Sequence, residues 1–425
     1  RSFFFFNLND DTLQFSDQTK YLAISETLLN QSTFDDPHLI QRAPLYPLII
    51  FFIRSVLDNL YFVIIVQNLI GILSLFLIYN TCKIIDRELA FLSTLLYSVN
   101  LNVILYENLI LTEGIFTSFF VLSIFFLLKF IKKQKLSLLI YLSITLAISA
   151  LIRPQIYYFL IIIFIIIFFL LKNSFQEKVK FFLIFLIIFK CIIFVWEFRN
   201  YKVHGNKFFV IAKEVNLIGY YLPHFDQYEY KIDLQKAKKN RKMKWEKYLS
   251  EINDEKIEKN NLIFKENLAV KYTLEELKKY QLSSLIKANL AGSIKTILTP
   301  SYVDIGYFYK LKKISFSSTK GFSFLEQSLN FIKKVYKTNL TYFVLLVLNL
   351  TLIFLIRIIQ IYGLIIMFEK NTKISILSIL IIFFFIFLLG PLGGPKYRVP
   401  FEIFFSIYLS YGILSVRNII KKKIT

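Results

Sequence analysis

Apolar stretches separated by short polar breaks run along most of this chain. A helix needs roughly 20 mostly apolar residues to cross a bilayer. Residues 60–81, 89–106, 114–130, 136–152, 156–171, 181–196, 340–368, 374–389 and 400–416 meet or approach that length. They predict about nine spanning helices and hence an all-α, polytopic integral membrane protein. Residues 44–56 are apolar but too short to span, which suits a helix half-sunk at the bilayer surface. Two hydrophilic regions interrupt the pattern. The first, 7–43, places Tyr21, Ile24 and Leu28 at the spacing of a short amphipathic helix. The second, 199–339, divides the chain into three parts: an N-terminal membrane region (1–198, with a first outside loop at 7–58), a helical extramembrane insert, and a C-terminal membrane region (340–425). Within the insert, 228–279 is rich in Lys, Glu and Asn and predicts helix. Leu274, Leu277, Leu282, Leu285, Ile286, Leu290, Ile294 and Ile297 then recur at three- and four-residue steps, with Lys278, Lys279, Lys287 and Lys295 between them. That pattern fits a helix lying on a membrane surface, and equally one packed on the insert itself.

Composition agrees with this picture. Hydrophobic residues make up 56% of the chain, with 47 Phe against 12 Gly, and a water-soluble fold is excluded. The formal net charge of +22 invites a nucleic-acid reading. No nucleic-acid-binding motif accompanies it, and its distribution has a simpler cause. Fifteen Lys/Arg fall in the loops around 83–87, 129–135, 172–180, 370–373 and 417–423, against five in the alternate loops. The richer side is expected to face the cytoplasm. Asp17, Glu113, Arg153 and Arg398 then lie outside, with the insert, whose 27 Lys/Arg and 14 Asp/Glu do not set orientation because long loops cross regardless of charge. Anionic lipid headgroups are the expected electrostatic partner, and nucleic acid is not. Cys82, Cys191 and the three His fit no metal or disulfide spacing, and no nucleotide-binding glycine motif is present. The opening Arg-Ser-Phe-Phe-Phe-Phe reads as the end of an earlier helix, so an N-terminal fragment is expected.

The chemistry-bearing residues cluster in this topology. Asp17, Arg42, Glu113, Arg153, Arg199, Lys396, Tyr397 and Arg398 all fall on the outside, near span ends. A carboxylate at the edge of hydrocarbon is costly to keep and marks a functional candidate. A guanidinium fork suits phosphate oxygens, and a carboxylate can accept the proton of an attacking hydroxyl. Blander roles compete. Asp17 would serve as a helix cap, Glu113 would cap a helix beginning at Gly114, Arg153-Pro154 would open a helix, and the arginines would snorkel to headgroups.

These residues sit in patches that resemble the polyprenyl-phosphate-sugar-dependent glycosyltransferases of the GT-C superfamily, in the branch containing protein O-mannosyltransferases and the lipid A aminoarabinose transferase. The patches are Ser16-Asp17-Gln18-Thr19-Lys20-Tyr21-Leu22-Ala23, Arg42-Ala43-Pro44-Leu45-Tyr46-Pro47, Leu111-Thr112-Glu113-Gly114, Leu151-Ile152-Arg153-Pro154 with Trp196-Glu197-Phe198-Arg199, and Lys396-Tyr397-Arg398-Val399-Pro400. The resemblance implies a GT-C-like bundle with interfacial helices in the first outside loop. It implies a polyprenyl-phosphate sugar donor, an extracytoplasmic lipid, glycan or protein acceptor, and a location in the bacterial inner membrane with the active site outward. Asp17 would be the catalytic base of an inverting transfer and Glu113 a second acid. Arg42, Arg153 and Arg398, with Lys396, Tyr397 and Arg199, would face the donor phosphate, and Tyr21 and Tyr46 would stand nearby. No cofactor is expected beyond a divalent cation, for which no ligand spacing is visible. A transporter or flippase of lipid-linked saccharides, or a saccharide polymerase, is the competing class. Transport would call for charges along a path through the bilayer, where only Lys190 and Arg357 lie deep.

Overall fold

The computed structural model describes residues 5, 6, 8, 17–31, 36, 38–252, 261–301, 316 and 319–424. Every regular element among them is helical. The helices are α1 (Gln18–Gln31), α2 (Leu45–Val56), α3 (Leu60–Ile85), α4 (Ala90–Ser98), α5 (Leu101–Glu107), α6 (Thr112–Lys133), α7 (Leu136–Ile152), α8 (Pro154–Leu170), α9 (Phe175–His204), α10 (Leu222–Glu229), α11 (Leu234–Ser250), α12 (Leu262–Leu277), α13 (Leu282–Leu298), α14 (Phe324–Thr338), α15 (Leu340–Lys370), α16 (Thr372–Leu389) and α17 (Glu402–Ile424). The expected end of an earlier helix falls mostly outside the described residues.

Among the described residues, six helices are long and apolar enough to cross a membrane: α3, α6, α9, α15, α16 and the segment Pro395–Asn418. The protein is thus a polytopic helical membrane bundle. The count differs from nine for a local reason. The run 89–106 is not one continuous helix: it breaks between α4 and α5, where the Asn100 side chain accepts from the backbone N–H groups of Asn102 and Val103 and starts a new helix, so neither half has spanning length by itself. The α7 and α8 helices are shorter apolar helices, and α8 is a composite that opens on a 3-10 turn after Pro154 and ends in a π turn. Asparagines set other boundaries. Asn59 caps α3, Asn339 caps α15 and Asn371 caps α16. At 31 residues, α15 is about 46 Å long and overshoots a hydrocarbon core of roughly 30 Å.

In order of contact, the bundle runs α15, α17, α4, α3, α6, α7, α9. Lipid tails are as apolar as the side chains, so close packing and buried polar contacts hold such helices together. The α15–α17 crossing shows this. Carbon added at Gly363 would overlap the Tyr408 carbonyl, and carbon at Gly412 would overlap that of Ile359. Ser93 and Ser410 hydrogen-bond across the α4–α17 seam at 2.9 Å. Phenylalanines fill the centre. Phe120 meets Phe159 and Phe385 edge-on at 5.5 and 5.3 Å, and Phe159 meets Phe384 at 5.1 Å. Such pairs contribute about 0.5–1.5 kcal/mol each beyond burial.

The α2 helix follows the surface-helix expectation, burying Tyr46, Pro47 and Ile50 while Phe52 and Val56 are exposed. Helices α10 to α13 form a second, smaller core around Ile218, Leu222, Phe225, Trp245, Ala269 and Tyr272. The periodic stretch 274–297 is two helices rather than one, with a turn at 278–281. Its second half, α13, packs through its small side: Ser284, Ala288, Ala291, Gly292 and Thr296 are buried. Leu282, Ile286 and Leu290, one turn apart, are 71%, 56% and 57% exposed. One face of this helix thus packs against the protein, and the other is left as an outward apolar stripe. The small face lies against the 3-10 turn Pro395–Phe401 and the end of α16.

Candidate active site

Asp17 precedes the first turn of α1, and its backbone carbonyl accepts from the N–H groups of Lys20 and Tyr21. Three anchors hold α1. Ile24 and Leu28 pack with Leu39 and Trp196. The Gln18 side chain accepts from the Ile110 N–H at 2.7 Å, between α5 and α6. Tyr21 meets the Tyr46 ring edge-on at 5.0 Å. Tyr46 in turn donates to Gln67 on α3 at 2.6 Å, and Gln67 donates to the carbonyls of Glu107 and Leu109. Sequence positions from 18 to 110 are thereby locked around one spot.

Four charged groups from distant parts of the chain converge there with Asp17. Arg42, in extended backbone after a 3-10 turn, donates to Asp17 Oδ1 at 3.0 Å and lies over the Tyr21 ring at 5.2 Å. Lys396 approaches Asp17 Oδ2 at 3.5 Å. Glu113 stands in the first turn of α6, which begins at Thr112 rather than Gly114 and carries no side-chain cap from Leu111. A carboxylate in that turn is favoured by the helix dipole. Arg153 is 3.3 Å from Glu113 and lies over Phe116 at 5.3 Å and Tyr397 at 6.0 Å. Pro154 at the first position of the following turn places Arg153 at the end of α7, as the sequence suggests. Lys396 links the two pairs, standing within Coulomb reach of Glu113, Arg153 and Asp17.

Burial alone would raise the Asp17 carboxyl, but the charges of Lys396, Arg42 and Lys20 outweigh it and hold the group below the usual carboxylate range. Tyr21 is pushed up, first by burial. Asp17 is therefore an anion at neutral pH, and its side chain is still 39% exposed. Glu113 and Arg153 are buried. Among the described residues, two buried donors here have no hydrogen-bond partner, Arg42 Nε and Arg153 Nη1. The second feels the Glu113 charge but not along a hydrogen-bonding direction. An unmatched buried donor costs about 1–3 kcal/mol, and more when charged, so such groups suit an incoming acceptor.

Two sequence-derived candidates have other surroundings. The Arg398 guanidinium donates to Glu402 and to the carbonyls of Thr296, Ile297 and Thr299 at 2.8, 3.0 and 3.2 Å. It clamps the C-terminal end of α13, and few of its donors remain for a phosphate. Arg199, on the last turns of α9, lies over Trp196 at 5.0 Å and donates to Asn200 at 3.1 Å. Tyr397 does join the cluster, under Arg153 and Lys396.

Other charged groups pair away from this cluster, and one of them, Glu402, was not singled out from sequence. Glu402 gathers Arg398, Asn100 and Asn102, and its four-residue spacing from Arg398 was the available signal. Glu197 pairs with Lys190 at 2.9 Å, and Lys190 also donates to Tyr157. Arg357 bonds the Ile297 carbonyl and lies over Phe405 at 4.2 Å. The two deep cations are thus satisfied locally and form no line of charges through the bundle. Among the described residues, no three His, Cys, Asp or Glu gather where they would hold a metal ion.

The fold defines a polytopic helical membrane protein, and these side chains form a charged cluster where its first loop, α6, α7 and the Pro395–Phe401 turn meet. The family model for dolichyl-phosphate-mannose-protein mannosyltransferases matches residues 41–196. That stretch contains Arg42, Glu113 and Arg153, and ends at Trp196; Asp17 and Lys396 lie beyond it. No curated protein and no solved structure matches the chain.

Proposed function

We propose that the protein is a membrane glycosyltransferase that moves a sugar from a polyprenyl-phosphate donor to an extracytoplasmic hydroxyl on a lipid, glycan or protein. The convergence of Asp17, Arg42, Glu113, Arg153 and Lys396 carries the reading, and the similarity over residues 41–196 supports the donor class. The excess of Lys/Arg in the opposite loops supports an extracytoplasmic position for this end of the bundle.

In the proposed reaction Asp17 takes the proton of the acceptor hydroxyl as its oxygen attacks the anomeric carbon. The bond from that carbon to the phosphate oxygen breaks, and polyprenyl phosphate leaves with the electron pair. A single displacement inverts the anomeric centre. Arg153, Arg42 and Lys396 stabilise the charge growing on the leaving phosphate, an effect of about 10²–10³ in rate per fixed donor. Arg42 exchanges its bond to Asp17 for one to the phosphate, which frees a carboxylate oxygen for the hydroxyl. Glu113 holds Arg153 in place. The local pairing of Lys190 and Arg357 favours this reading over transport.

The test uses purified protein in lipid nanodiscs, a radiolabelled sugar on polyprenyl phosphate, and a cell-envelope extract as acceptor source. Free polyprenyl phosphate should appear, and label should leave the lipid with no nucleotide sugar added. Consumption of a nucleotide sugar while the lipid-linked label stays in place would overturn the proposal.

A further inference from the structure

Lys396 reaches Asp17 from a short loop between α16 and α17, and α13 braces that loop. Carbon added at Gly292 on α13 would overlap the Gly390 carbonyl, and carbon added at Gly393 would overlap the carbonyl of Gly292. Gly393 has φ +58, a conformation other residues rarely adopt. The two backbones therefore touch with no side chain between them. Thr296, fully buried, stands at the centre of this contact. Its hydroxyl donates to the Gly292 carbonyl at 3.0 Å and accepts from the Gly394 N–H at 3.2 Å. Its own carbonyl accepts from Arg398. Gly394 is two residues from Lys396.

We propose that Thr296, on a helix of the hydrophilic insert, is a positioning residue that holds the Gly390–Gly394 loop so that Lys396 stays beside Asp17. The insert is then part of the working site, whatever else its outer surface touches. The catalytic consequence rests on the reading of Asp17 as base; the positioning itself does not.

Lys396, Arg42 and Lys20 are the cations acting on Asp17, with Tyr21 within Coulomb reach of it and the Glu113–Arg153 pair within reach of Lys396. Loss of Lys396 from its place should move Asp17 protonation to higher pH. Carbodiimide coupling of glycine ethyl ester to Asp17, followed against pH by peptide mass spectrometry, reads that midpoint without any transfer reaction. Thr296→Val keeps the shape and removes the bridging hydroxyl; Thr296→Ser keeps the hydroxyl. The midpoint should move upward in Thr296→Val and in Lys396→Met, and stay near wild type in Thr296→Ser. Gly292→Ala should act in the same direction if it folds. An unmoved midpoint in folded Thr296→Val, or in Lys396→Met, would overturn the proposal. If the midpoints move as stated while the wild type transfers no sugar, the positioning stands and the glycosyltransferase reading falls.

Discussion

Two charged clusters in this molecule use the same side chains and reach opposite ends. In the insert, Arg241 is wholly buried and saturated. It bonds both oxygens of Asp226, reaches Glu276, and donates to Tyr272 and Tyr280 at 3.0 and 2.7 Å. Tyr280 closes the ring by donating to Asp226 at 2.7 Å. At the bundle end, Asp17 is partly open, and Arg42 and Arg153 each keep an unmatched donor. A closed network fixes the orientation of helices α10, α11 and α12 and has nothing left to bind. An open one holds charge ready for a ligand, and its stability is partly forgone.

That contrast can be broken by substitution. Arg241→Met strands two buried carboxylates, and a broken buried pair costs about 3–5 kcal/mol. Chemical unfolding, or proteolysis of the insert, should register a loss of that size. Arg42→Met removes a half-open pair and should change stability by about 1 kcal/mol or less, while weakening donor binding. Equal destabilisation by the two variants would erase the distinction. Arg153→Ala, made with Glu113→Gln to avoid an unpaired acid, should lower affinity for polyprenyl phosphate about 10–100-fold, as expected for a lost charged hydrogen bond of about 1.5–3 kcal/mol. Unchanged binding of the lipid phosphate would return Arg153 to a structural role. Lys396→Met gives a smaller, directional effect. Asp17 must be ionised to act as base, and Lys396 helps hold it so. Without Lys396 the carboxylate protonates at higher pH, and the acid limb of the transfer rate should shift upward. A limb that stays in place would separate Lys396 from Asp17 chemistry.

Much of the fold was legible because bilayer thickness imposes a length on apolar runs, as for 60–81 and 340–368. The break inside 89–106 was not legible, because a single Asn100 can restart a helix inside an apolar stretch. The site was readable where charge was out of place for its setting: Asp17, Glu113, Arg42 and Arg153 stand at the polar ends of membrane segments, and they meet. Arg398 has the same setting, yet its direction depends on α13, whose docking through Gly292 and Thr296 leaves no mark in hydropathy. The Arg241 network was equally hidden, since its partners lie 15 and 35 residues away along a polar sequence.

Asp17 is proposed to take the proton in a site built by the surrounding cations. Transfer of a labelled sugar from polyprenyl phosphate by Asp17→Asn, with donor binding measured on the same sample, tests it most directly. The expected outcome is a rate loss of about 10²–10⁴ with binding of the lipid phosphate retained. Wild-type turnover by Asp17→Asn would contradict it.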